Sequence, residues 1–117
     1  MKRLALLILL SVSAFSQLAT YGLKRNVTTA GTAVRLSATS LIVRSLVIQA
    51  PSTNVGTIYI GGSDVLAATK NGVALTSTNS LALLPIGELK TINSYDLTNI
   101  WIDSTTSGEG VSVTYFK

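Results

Sequence analysis

The chain of 117 residues contains no cysteine and no histidine. Without cysteine it can form neither a disulfide framework nor a thiolate metal site, and its redox compartment cannot be inferred. Without histidine it lacks the most frequent general base and metal ligand, and the missing cysteine removes the usual thiol nucleophile. We therefore expect a protein that is not an enzyme and that binds no cofactor or metal.

Charged residues are few, at 12% of the chain, whereas 47% of the residues are apolar. This balance is typical of a folded protein, and the length suits a single domain. The formal net charge is +4, and two of the basic residues, Lys2 and Arg3, lie at the start of the chain. The other basic residues form no patch with interleaved aromatics, so we expect no sequence-specific nucleic-acid binding.

The five carboxylates are the groups left for acid–base chemistry. Asp96 and Asp103 are seven residues apart, which in one extended strand puts them on opposite faces and roughly 23 Å apart. A glycosidase needs two carboxylates that face each other across a cleft, and this pair does not meet that need. The segment from Asp103 to Glu109 offers oxygens of the kind that calcium accepts. The alternative, which we adopt, is that Asp103 and Glu109 are both polar turn residues and that the chain has no metal site.

Residues 1–16 have the pattern of a secretory signal peptide. A basic start precedes a Leu/Ile run, and small residues follow that end with Ala14 and Ser16 two apart. Cleavage is predicted between Ser16 and Gln17. The apolar run is shorter than the about 20 residues that a transmembrane helix needs. The alternative is a retained hydrophobic helix that docks on a partner subunit or makes a membrane contact.

Short alternating strands between Gly, Ser, Thr and Asn turns fill residues 33–117. They predict an all-β fold, a single small β-sandwich or jelly-roll-like domain of about seven or eight short antiparallel strands. Residues 17–32 show little periodicity and are predicted to be an extended arm or linker. The apolar run 41–50 and the segment 96–103 are each predicted to be one strand, and 65–69 to be a short strand or one helical turn.

The alternation also predicts which side chains share a face of their strand. Ile58 and Ile60 share one side of their strand and Tyr59 the other, and three residues of the last strand, Val111, Val113 and Tyr115, share a face. Such a period of two is typical of strands with one face on a core.

Five residues are candidates for partner binding. Tyr59 and Trp101 are strand aromatics that on an outer face can stack on a sugar or fill a pocket of a neighbour. The alternative is that both belong to the core. Leu41, Val43 and Val47 share one face of the long apolar run, whose two faces are both mostly apolar. This fits a subunit contact or a strand covered on both sides.

Several stretches together resemble a known class of protein. Val-Ile-Gln-Ala-Pro precedes Ile-Tyr-Ile-Gly-Gly-Ser-Asp-Val; a Leu-rich turn with Pro85 and Gly87, then Ile-Trp-Ile-Asp and a Gly-Val-Ser-Val-Thr-Tyr ending follow. Over residues 33–117 the chain resembles the small β-sandwich structural proteins of bacteriophage virion gene clusters. These serve as capsid decoration, head-fibre, spike or tail-associated subunits.

The resemblance implies a non-enzymatic virion protein, often oligomeric, whose partners are other virion structural proteins and copies of itself. The signal-like residues 1–16 depart from it, because capsid subunits usually lack such a segment. This leaves room for a membrane-associated virion component. It also keeps open an exported bacterial adhesin or carbohydrate-binding module, periplasmic or extracellular, with Tyr59 or Trp101 as its sugar platform.

Overall fold

The computed structural model describes residues 20–84 and 94–117, which form an all-β domain of several antiparallel sheets. Its strands are β1 (Thr20–Asn26), β2 (Val34–Arg35), β3 (Ile42–Val43), β4 (Ser45–Gln49), β5 (Ile58–Gly61), β6 (Val73–Leu75), β7 (Ser80–Leu83), β8 (Tyr95–Asp96), β9 (Trp101–Ser104) and β10 (Gly110–Phe116). The first four-stranded sheet has the order β1-β10-β4-β7 and the second the order β2-β9-β5-β6, while β3 pairs with β8.

Some sequence predictions lie outside the described residues. These are the signal-like segment 1–16 with its cleavage site and the turn at Pro85 and Gly87. Within residues 20–84 and 94–117, no helix has the length and apolar character needed to cross a membrane.

The main hydrophobic core draws side chains from both four-stranded sheets. Two predicted groupings are confirmed, because the core contains both Ile58 and Ile60 from β5 and all of Val111, Val113 and Tyr115 from β10. It also contains Leu46 and Ile48 from β4. Fully burying one such side chain contributes about 1.5–3 kcal/mol. The shared core therefore joins the two sheets.

The apolar run 41–50 is not one strand, as predicted, but two. β3 pairs with β8, whereas β4 lies between β10 and β7. The change of partner occurs at Arg44, whose backbone N–H donates to the Phe116 carbonyl at 2.8 Å. The corner also changes the buried face: Val43 is buried before it, whereas Leu46 and Ile48, an odd number of residues further on, are buried after it. This split is one reason why the described residues contain ten strands where the sequence predicted seven or eight, and β1, in the predicted arm, is another.

The segment 96–103 is also interrupted, by a 3-10 turn at Leu97–Asn99. The Asp96 carboxylate accepts hydrogen bonds from the backbone N–H of Thr98 at 3.0 Å and from its hydroxyl at 2.8 Å. Such local side-chain bonds compete with strand pairing. Of the two alternatives for residues 65–69, the helical turn is confirmed, as a 3-10 turn at Ala67–Thr69.

Part of the predicted arm, residues 17–32, is a strand of the first sheet. All seven residues of β1 pair with β10. Val27, directly after the strand, is fully buried in the main core. The folded domain therefore begins before residue 33, and the first and last strands of the described chain are neighbours.

Candidate interaction surface

Tyr59 is buried, with 8% of its surface exposed. The alternation of β5 turns it away from Ile58 and Ile60, into a second, smaller cluster with Val65 and Ala67. Of the two interpretations open for Tyr59, the structure therefore favours the core residue over the outward platform.

Trp101 is half-buried and packs against the same small cluster. In the register of β2 and β9 it lies opposite Arg35, and the guanidinium carbon of Arg35 is 5.0 Å from the centroid of the indole ring. A cation–π contact of this kind contributes about 0.5–1 kcal/mol at an exposed site. Because Arg35 covers one face of the ring, a stacking partner would first have to displace it.

The three aliphatic candidates do not share an exposed face. Val43 is fully buried in the main core and offers no surface to a partner. Leu41 is half-buried against the same core, and Val47 is half-buried on the outer face of β4. They diverge because the chain changes sheet at Arg44, so residues that share a face of a straight strand end on different surfaces.

Four exposed large apolar side chains lie at one end of the first sheet, where β1 begins and β10 ends. They are Tyr21 (41% exposed), Ile42 (52%), Leu84 (63%) and Phe116 (41%). We call this group the apolar end. The other large apolar residues with comparable exposure in the described chain, Val55 and Val73, lie elsewhere.

The strand register places these side chains at the same end of the sheet but not on one face. Tyr21 lies opposite Tyr115 with the two rings stacked, their centroids 5.5 Å apart, and the Lys117 Nζ is 5.0 Å from the centroid of the Tyr21 ring. Phe116, the next residue of β10, points to the opposite face. Its carbonyl accepts from the N–H of Arg44, two residues after Ile42.

Leu84 joins the same end from the other edge of the sheet. It directly follows β7, whose last residue pairs with the second residue of β4. Its carbonyl accepts a hydrogen bond of 2.7 Å from the Tyr95 hydroxyl, and Tyr95 in turn pairs with Val43, the neighbour of Ile42.

Sequence reasoning missed the apolar end because its members come from four segments far apart in the chain. One signal was available, since the alternation that turns Tyr115 inward also turns Phe116 outward. Tyr21 was hidden in the predicted arm, where no strand and hence no face was assigned.

Asp103 is a fully buried carboxylate. Its Oδ1 accepts from the backbone N–H of Gly31 at 3.0 Å and of Ser104 at 2.8 Å, and its Oδ2 accepts from the N–H of Ala67 at 2.7 Å. Hydrogen bonds to a charged group contribute about 1.5–3 kcal/mol. Asp103, in β9, therefore holds two other segments by hydrogen bonds: the loop before β2 and the 3-10 turn after β5. It does not lie in a solvated turn.

Glu109 fastens another loop. Its Oε1 accepts from the N–H of Val55 at 2.6 Å and its Oε2 from the N–H of Gly56 at 2.9 Å. Position 56 favours glycine, because the Cβ of any other residue would lie 2.9 Å from the same Oε2, which is closer than an ordinary contact. Glu109 and Asp103 thus serve different loops, and across residues 20–84 and 94–117 no three acidic side chains are grouped to hold a metal ion.

Asp96 has a lowered pKa. Hydrogen bonds from the backbone N–H and the hydroxyl of Thr98 stabilise its charged form most, and the Ser40 hydroxyl and the Leu41 N–H add to them. Burial acts in the opposite direction. The net effect takes the pKa from its ordinary value of 3.8 to about 2.

No protein-family model, no curated protein and no solved structure matches this chain. The function must therefore be argued from the geometry of the described residues together with the resemblance noted in the sequence.

Proposed function

We propose that the protein is a non-enzymatic structural subunit of a bacteriophage virion, a capsid decoration, spike, fibre or tail-associated protein. It acts by binding other virion proteins and further copies of itself. In this proposal the two four-stranded sheets form a β-sandwich around their shared core. The resemblance of residues 33–117 to such subunits supports the proposal.

The apolar end is the observation that carries this function. Each large apolar side chain taken fully from water contributes about 1.5–3 kcal/mol, so two half-exposed ones on one face of this end offer about that much to a contact. Part of this gain is offset by the lost freedom of the associating molecules. In a repeating particle many such contacts act together, and a modest contact becomes a durable one.

The carboxylates support a non-enzymatic role. Asp96, Asp103 and Glu109 each accept hydrogen bonds from backbone N–H groups of their own domain. Three of the five acidic side chains that the sequence leaves for acid–base work are thus engaged in holding turns and loops. A subunit built to pack needs rigid loops more than it needs a free carboxylate.

The experiment that tests the proposal compares association of the native protein with that of variants at the apolar end. We expect a homo-oligomer whose dissociation constant rises by about tenfold or more in Phe116→Ser and in Ile42→Ser, because each loses part of the buried apolar contact. Analytical ultracentrifugation over a range of concentrations gives the constants. Mass spectrometry of purified phage particles tests whether the protein is a virion component.

Val55→Ser is the matched control, because Val55 is 88% exposed but lies away from the apolar end. It should associate like the wild type. A native protein that stays monomeric and is absent from purified particles contradicts the proposed function.

A further inference from the structure

A polar cleft of about 300 Å³ lies at the opposite end of the first sheet from the apolar end. Its floor is the row Ser112, Gln49 and Ser80, which are paired neighbours on β10, β4 and β7. The turn that follows β4 at Pro51 forms one wall, and the turn 76–79 before β7 forms the other.

The lining has no charged side chain and no aromatic ring. Its side chains are mainly hydroxyls and amides, which both donate and accept hydrogen bonds. The lining holds no carboxylate and Lys24 lies opposite Ser112 on β1, so a cationic ligand would find no counter-charge here, whereas a neutral ligand with several hydroxyls would find a partner for each. The volume is at the lower end of the about 300–1,000 Å³ found for small-molecule sites.

Hydrogen bonds of their own hold both walls in place. At the first wall the Asn54 N–H donates to the Pro51 carbonyl at 3.0 Å, and the Asn54 amide donates to the Gly110 carbonyl at 2.8 Å. At the second wall the Asn79 side-chain oxygen accepts from the N–H of Thr76 at 2.7 Å. Because these walls are already ordered, a ligand can bind in the cleft without the entropy cost of ordering them.

The floor, in contrast, keeps its polar atoms available. No side-chain hydrogen bond joins Gln49, Ser80 or Ser112 to another of the described residues. The Gln49 amide carries a donor and an acceptor side by side, which matches two neighbouring hydroxyls of a sugar. Among residues 20–84 and 94–117, the row is therefore a set of donors and acceptors without a side-chain partner on the floor of a shaped cleft.

We propose that this cleft binds one neutral sugar unit, a hexose or an N-acetylhexosamine, through Gln49, Ser80 and Ser112. The absence of a stacking ring makes each site weak, with a dissociation constant of about 1 mM or above. A particle that carries many copies would bind a glycan-coated surface far more tightly than one subunit does. This inference does not depend on the proposed function, although the two fit together because the cleft faces away from the apolar end.

The test is a titration of the native, ¹⁵N-labelled protein with glucose, galactose, mannose and N-acetylglucosamine, followed by amide chemical shifts. We expect saturable shifts for at least one of these sugars at the amides of residues 49, 50, 52 and 77–80 and of Ser112. Glucosamine, which carries a positive charge, should bind more weakly because the lining has no carboxylate and Lys24 lies opposite Ser112. Gln49→Ala should weaken binding by about fivefold, the effect of losing one or two hydrogen bonds.

Thr114→Ala is the matched control, since Thr114 lies on the same face of β10, two residues beyond Ser112 of the floor. Its affinity should stay within about twofold of the wild type. Gln49 is exposed, so its replacement should leave the fold intact. The proposal is overturned by no saturable shift up to about 100 mM of any of the four sugars, by shifts that map elsewhere, or by equal effects of Gln49→Ala and Thr114→Ala.

Discussion

Single carboxylates in this protein are explained by the backbone groups that they bind. Asp103 looks in the sequence like a polar residue at a strand end, yet it is fully buried and serves three backbone N–H groups. A buried carboxylate without such partners would cost several kcal/mol. Its partners therefore make its position possible, and its loss should be felt by the whole fold.

Asp103→Asn tests this role with almost no change of shape. The amide keeps one acceptor oxygen, but its NH₂ group cannot accept a hydrogen bond, so at least one buried donor such as the Ala67 N–H loses its partner. We expect the free energy of unfolding to fall by about 2 kcal/mol or more. Urea denaturation followed by circular dichroism measures the loss.

Asp64→Asn provides the comparison, because Asp64 lies exposed in a turn. It should change stability by less than about 0.5 kcal/mol. Equal effects of the two substitutions would show that Asp103 does not hold the loops.

Asp96 makes stability depend on pH in the acidic range. The pKa of Asp96 in the folded protein, about 2, lies below its ordinary value of 3.8. The folded state therefore favours the charged carboxylate. The resulting stabilisation is fully present above the unfolded-state pKa and is lost as the pH falls from 3.8 towards about 2. Asp96→Asn should therefore be less stable at neutral pH and should show a smaller fall in stability over this range.

Thermal unfolding at a series of pH values checks the prediction. Ser40→Ala removes only one of the hydrogen bonds to Asp96 and should keep most of the pH dependence. An Asp96→Asn protein with the same acid sensitivity as the wild type would contradict the assignment.

Among the elements, β1 and β10 depend on a close approach of their backbones. Gly110 is paired with Asn26 where the two strands separate. A Cβ at Gly110 would overlap the Arg25 carbonyl and lie 2.6 Å from the Asn26 Cα. The pairing of β1 thus requires glycine at this position.

Gly110→Ala should displace the end of β1 and lower the free energy of unfolding by about 1–3 kcal/mol, the usual effect of overpacking. Gly22→Ala, in the same strand pair, is the control. The nearest atom to its Cβ would be the Val113 carbonyl oxygen at 3.7 Å, an ordinary contact. Hydrogen exchange of the β1 amides, together with denaturant unfolding, separates the two, and similar results for both would refute the close-contact explanation.

For the molecule as a whole, the pairing of β1 with β10 joins the first and last described strands into one sheet. Val27 and the half-buried Leu23 add apolar side chains from this early segment to the main core. A domain that began at residue 33 would lack both side chains and every hydrogen bond between β1 and β10.

A chain that begins at Ala33 should therefore fail to fold cooperatively. The side chains and strand pairing that it loses amount to several kcal/mol, comparable with the about 5–15 kcal/mol that stabilises a typical domain. A chain that begins at Gln17, the predicted cleavage product, keeps β1 and should melt in a sharp transition. Thermal circular dichroism of the two chains decides the point, and a cooperative melt of the shorter chain would contradict it.

Much of the fold could be predicted because alternation is a local property. The faces of Ile58 and Ile60, of Tyr59, and of the last strand all follow from a period of two. The corner at Arg44 and the interruption after Asp96 could not be predicted in the same way. Each changes the hydrogen-bond partner and also the buried face, since Val43 and Leu46, like Leu97 and Ile102, are buried although they are an odd number of residues apart. Partners are not encoded by a local period.

The candidate surfaces were less accessible to prediction. Tyr59 and Trp101 stand out by residue type, but their surroundings depend on Arg35 and on the turn at Ala67, which come from distant segments. The polar cleft and the apolar end were missed altogether, because each combines segments that only the strand order brings together.

The amino-acid order alone was enough for the all-β class and for the shared faces of β5 and β10, since these follow from alternation. The tertiary structure alone decided the strand order, the place of β1 and the task of Asp103. The reason is distance along the chain: Asp103 accepts hydrogen bonds from residues 72 and 36 positions earlier, Gly31 and Ala67. Contacts of that separation depend on how the sheets pack, which no local pattern contains.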